Sequence, residues 1–83
     1  MSFAKNEGIY YSIKGNHTPH DSTAVVDGVI AIEPIDASGE VVITGTNGVT
    51  ATIYCTQGVI YPVGALSLIK ATGTTATEFA LFE

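Results

Sequence analysis

Residues 40–55, Glu40-Val41-Val42-Ile43-Thr44-Gly45-Thr46-Asn47-Gly48-Val49-Thr50-Ala51-Thr52-Ile53-Tyr54-Cys55, hold the decisive local signal of this chain. Two β-branched runs flank an Asn-Gly pair, and that pair supplies the positive φ angles a tight hairpin turn requires. The second run alternates strictly. Val49, Ala51, Ile53 and Cys55 fall on one side, and Thr50, Thr52, Tyr54 and Thr56 on the other. A period of two places the first set on a core face and the second on a Thr-rich face open to solvent or a partner.

The same grammar extends in both directions. Upstream, Gly8 to Lys14 is a short aromatic and β-branched run ended by Gly15-Asn16, and Asn16 to Thr23 is polar and contains Pro19, which predicts a linker or an extended arm. Ala24 to Pro34 predicts one or two strands around Asp27-Gly28, and Asp36-Ala37-Ser38-Gly39 a turn. Downstream, Gln57-Gly58 turns the chain into Val59–Val63, where Pro62 suggests a sheet edge or the last residues of a strand. Ala65–Ala71, a turn at Thr72–Thr75, and Ala76–Phe82 complete about six to eight strands.

Composition agrees. The 83 residues include 11 Thr, 9 Ile and 8 Val, so 28 are β-branched, against 3 Leu and 1 Met. Branched side chains lose freedom in helices and pack well on pleated surfaces. No window carries apolar residues at helical spacing, and no βαβ pattern occurs. The expected fold is all-β, a small antiparallel β-sandwich or a Greek-key or jelly-roll-like barrel. Residues 1–20 read as an N-terminal arm with a short strand and a polar linker, and residues 21–83 as the β-sandwich domain. A domain this small buries only about 60–65% of its unfolded surface. Its strand edges have almost no Lys or Arg to guard them, so self-association or docking on a larger body is expected.

The charge balance excludes some partners. Net charge is -5, the only basic residues are Lys5, Lys14 and Lys70, and there is no Arg. Phosphate neutralisation needs a basic patch, so nucleic acid is not an expected partner. A polybasic membrane contact fails on the same count, and the apolar runs are too short to span a bilayer. The N-terminal residues lack an apolar signal segment, and the single cysteine forms no internal disulfide; both suit a chain made in a cytosol.

Several residues invite a chemical reading. His17, His20 and Asp21 form H-x-x-H-D, but in a polar linker they lack the fixed three- or four-ligand geometry of a metal site and read as solvated. Cys55, on a core face and without a neighbouring base, reads as a structural thiol. Asp27, Glu33, Asp36, Glu40 and Glu78 are scattered over turns and strand ends rather than paired across a cleft. There is no phosphate loop and no nucleophile elbow. No enzyme activity, cofactor or metal is expected. Tyr10, Tyr11, Tyr54 and Tyr61 fit either a carbohydrate-stacking surface or cross-strand pairs and an oligomer interface.

The last third of the chain carries a resemblance. Tyr61-Pro62-Val63-Gly64 leads through Leu66, Leu68 and Ile69 to Ala71-Thr72-Gly73-Thr74-Thr75-Ala76-Thr77 and the apolar ending Phe79–Phe82. Together with Gly28–Ile32 and the hairpin around Asn47-Gly48, this resembles a family of small bacteriophage virion proteins over Asp21–Glu83. Members carry one or two Arg in the strand before the Ala71–Thr77 run, where this chain has only Lys70. The resemblance implies a virion location and a non-enzymatic structural role, as a capsid decoration or cement protein or the base of a head spike. A tail or neck component, or a small carbohydrate-binding module, is the alternative. It also implies an oligomer that docks on the major capsid protein or other virion proteins. The residues expected at such contacts are Phe3, Ile9, Tyr10 and Tyr11 of the arm, the tyrosines Tyr54 and Tyr61, and Phe79, Leu81 and Phe82 of the last strand. The hydroxyls of Thr72–Thr75 are expected to bond backbone groups and set the angle of that strand.

Overall fold

The computed structural model describes residues 11–83; Phe3, Ile9 and Tyr10, expected at contacts, lie outside the described residues. Seven antiparallel strands and no helix are found there: β1 (Ile13–His17), β2 (Ala31–Pro34), β3 (Gly39–Gly45), β4 (Thr50–Cys55), β5 (Tyr61–Pro62), β6 (Leu66–Lys70) and β7 (Phe79–Phe82). The fold is all-β, as the sequence predicts. The strands form two sheets, one ordered β1-β7-β2-β5 and the other β4-β3-β6.

The β3–β4 hairpin forms around Asn47-Gly48. Gly48 takes φ +86, Gly45 N–H donates to the Val49 carbonyl at 2.9 Å, and Asn47 Oδ1 accepts from Val49 N–H at 3.0 Å. From there the ladder runs in unbroken register from Thr44↔Thr50 to Gly39↔Cys55. In the other sheet β7 is central, flanked by β1 and β2.

The core lies between the sheets. Val29, Ile32, Phe79 and Leu81 meet Val41, Cys55, Leu66 and Ile69, all almost fully buried. Phe79 and Leu81 supply the inward face of β7. Its outward face, Ala80 and Phe82, joins Ala31 in a second cluster against which Tyr11 and Ile60 pack. Every residue of β7 is therefore buried.

One expectation is corrected, and two open alternatives are resolved. The early strand does not stop at Gly15-Asn16 but spans Ile13–His17, with Gly15 (φ +139) at a register irregularity opposite β7. Glycine adopts this conformation without a Cβ penalty, so it sits in a bulge rather than ending the strand. Second, Asn16–Thr23 is an extended arm rather than a free linker, and the sheet begins before residue 21. His20 N–H donates to the Ile69 carbonyl at 2.9 Å, and Val25 N–H to the Ser67 carbonyl at 2.8 Å, so the segment lies along the outer edge of β6. Third, Ala24–Pro34 yields one strand, with Val25 and Val29 buried beside β6 rather than paired in a ladder of their own.

Candidate functional surfaces

The run Ala71–Thr77 is held at four points. Thr72 donates its N–H (2.9 Å) and hydroxyl (2.6 Å) to the Asp21 carboxylate. Thr74 Oγ1 accepts Val42 N–H at 2.9 Å, and Thr75 N–H reaches the Glu40 carbonyl at 2.9 Å. Thr77 donates its N–H (3.0 Å) and its hydroxyl to Asp36. The expected hydroxyl-to-backbone bond is present at Thr74, and two aspartates anchor the ends: Asp21 of the H-x-x-H-D motif and Asp36 of the turn before β3. These bonds hold the carboxyls of Asp21 and Asp36 below the usual carboxylate range, the Thr72 and Thr77 hydroxyls contributing most. Close packing completes the clamp: a Cβ on Gly73 would lie 2.8 Å from Val42 Cγ2. The run works as a strap across β3 that delivers the chain to β7.

The H-x-x-H-D motif is taken apart by the fold. His20 Nδ1 accepts the N–H groups of Ser22 and Thr23 (each 3.1 Å), so it caps a turn. Asp21 anchors Thr72. His17 is half-buried in β1, its Nε2 is buried without a partner, and desolvation lowers its pKa. No group of three or more metal-ligating side chains occurs among the described residues. Cys55 is fully buried, and that burial pushes its thiol pKa up.

The proposed contact residues separate into two groups. Phe79 and Leu81 are sealed inside the sandwich, and Phe82 is covered on the outer face, so β7 has no surface to give a partner. The pattern that suggested a shared strand, apolar residues on both faces, is satisfied within the chain because β7 is central and both faces are covered. Tyr11 packs edge-on to Phe82 with ring centroids 6.3 Å apart. Tyr61 is half-buried, and its hydroxyl accepts Thr56 N–H at 2.7 Å, fastening the end of β4.

Among the described contact residues, Tyr54 alone is presented openly, at 66% exposure. It shares the outer face of β4 with Thr50 and Thr52, where the Thr50 and Thr44 hydroxyls meet at 2.8 Å. The core-facing side of β4 is only partly covered. Cys55 is buried and Ile53 half-buried, but Ala51 is exposed and Val49 is 62% exposed. Below this end lies a hollow of about 330 Å³, lined among others by Ile43, Val49, Ala51, Val63, Ala65 and Leu66. Among the described residues nothing pairs with the outer edge of β4, and the strand is open on its outer face and at the hairpin end of its inner face. Comparison with known protein families, curated proteins and solved structures finds no match to this chain.

Proposed function

We propose that this chain is a non-enzymatic structural subunit of a bacteriophage particle, a capsid decoration or cement protein or a head-spike base, that acts by protein–protein contact. The observation that carries the reading is the exposure of β4. A strand without a charged residue projects Tyr54, and the loop leading into it projects Val49, from a two-sheet scaffold. Aromatic and aliphatic side chains on a fixed surface supply contact area at small entropic cost, and they suit a protein partner better than a phosphate backbone. The net charge of -5 points the same way. The resemblance of Tyr61–Phe82 to small virion proteins supplies the particle. The strap over Ala71–Thr77 gives that segment a physical task, because it fixes the entry of β7 and so the rigidity of the scaffold.

Mass spectrometry and immunogold microscopy of particles purified from the source of the gene test this. The chain should be present in stoichiometric amount and label the head. Absence from purified particles overturns the reading, and label confined to tail or neck moves the protein there. A monomer absent from particles, whose tyrosine fluorescence responds to glycans, would instead be a carbohydrate module using Tyr54.

A further inference from the structure

The two sheets have four outer edges, and three are blunted in the ways natural proteins use against uncontrolled pairing. β1 carries Lys14 and the irregularity at Gly15. β5 is two residues long, and Pro62 has no N–H to offer. The outer edge of β6 receives the bonds from His20 and Val25. The fourth, β4, has six residues, a regular register, no proline and no charge.

The ladder determines which of its backbone groups face outward. Gly45 N–H donates to Val49 O, and antiparallel pairs alternate between bonded and non-bonded. Ala51, Ile53 and Cys55 therefore bond inward to β3, and Thr50, Thr52, Tyr54 and Thr56 turn their N–H and C=O groups outward. Two observations agree with this phase. Val42, opposite Thr52, sends its N–H away from β4 to Thr74 Oγ1, and Thr56 N–H is taken by the Tyr61 hydroxyl. Thr50, Thr52 and Tyr54 remain, and no hydrogen bond to their outward backbone groups occurs among the described residues.

We infer that the free edge of β4 pairs with β4 of a second copy of this chain, antiparallel about a two-fold axis at Thr52. Three outward residues in a row are self-complementary in one register. Thr52 faces the partner's Thr52, and Thr50 and Tyr54 face the partner's Tyr54 and Thr50, so every free N–H and C=O of the three is bonded. A shift of two residues either way loses part of the set. Side chains agree with the register: Thr lies beside Tyr on the outer face, and Ala51 faces the partner's Ile53 on the inner face, next to the hollow. No like charges meet. Glu40, on β3 opposite Tyr54, is separated from its counterpart by three strand spacings, about 14 Å or more, beyond the screening length of about 8 Å at physiological ionic strength. The pairing joins the two three-stranded sheets into one of six strands with an isologous interface. It stands on backbone geometry and does not depend on the virion reading.

The test uses the full chain. Light scattering after size exclusion should give twice the 8.6 kDa chain mass. Thr52→Pro, which removes an outward N–H and no ladder bond to β3, should abolish the dimer while the β circular-dichroism spectrum persists. In Thr52→Cys, paired Cα atoms at the axis would lie about 5.5 Å apart, within reach of a disulfide. Mild oxidation should then give a covalent dimer, while the wild-type chain, whose only cysteine is buried, gives none. A wild-type monomer overturns the inference, as does a dimer that survives in folded Thr52→Pro. If Thr52→Pro fails to fold, the Thr52→Cys cross-link decides, and its absence overturns the pairing. Loss of the chain from purified particles would leave all these outcomes unchanged and would count against the virion reading alone.

Discussion

β7 and β4 are short strands without a charged residue, yet one is buried at every position and the other is exposed at four of its six. The difference lies in pattern and position. Phe79-Ala80-Leu81-Phe82 is apolar on both faces, and its place between β1 and β2 leaves neither a free edge nor a free face. Thr50–Cys55 alternates Thr or Tyr with apolar residues and, among the described residues, is paired on one side only. Removal of apolar area from water makes the first the main source of stability. The second keeps its backbone groups and its tyrosine for another molecule. Substitutions that cost folding free energy should therefore concentrate at β7 and its strap, and substitutions that cost association at β4.

The largest expected effect is at Phe79, whose side chain is fully buried. Phe79→Ala removes most of an aromatic ring from the core and should lower unfolding free energy by about 3–5 kcal/mol, measured by urea denaturation. A milder result at this position would mean that β7 is not the stabilising centre. Next comes Gly39, where an added Cβ would run into the Thr75 side chain. Gly39→Ala should cost roughly 1–3 kcal/mol, since strap or strand must shift. A neutral outcome would show that the strap yields freely.

A smaller effect is expected from Asp36, and it depends on pH. The bonds from Thr77 and Glu78 depress the carboxyl pKa in the folded chain, so the ionised form is favoured by folding. The stabilisation is then complete above the unfolded value of about 3.9 and is lost as pH falls through the folded value. Thermal melts of wild type and Asp36→Asn should differ at neutral pH and converge in acid. A gap that stays constant with pH would contradict the clamp. The smallest effect on folding is expected at Tyr54. Tyr54→Ala should change stability by no more than about 0.5 kcal/mol, as for an exposed side chain, while weakening self-association.

What was readable in the sequence was local or periodic. The Asn47-Gly48 turn needs only adjacent residues, and the β4 alternation needs only six, so both are found where expected. The exposure of Tyr54 followed from the same alternation. Long-range partners were not readable. Thr72 and Asp21 are separated by 51 residues, and Thr77 and Asp36 by 41, with nothing in either segment to mark the match. A polar stretch containing proline looks like a linker until a strand edge such as β6 is available to bind its N–H groups. The last strand carried an apolar pattern that a subunit interface and a central position satisfy equally well, and only strand order separates them. The same order reveals that β4, rather than β7, is the strand left open.

Amide hydrogen exchange of β4 followed by NMR over a dilution series tests this division most directly. The N–H groups of Thr50, Thr52 and Tyr54 should be protected at high concentration and exchange rapidly on dilution, while those of Ala51 and Ile53, bonded to β3, stay protected throughout. Outward amides that exchange rapidly at every concentration, or that stay protected in a proven monomer, would contradict an edge held open for a second copy.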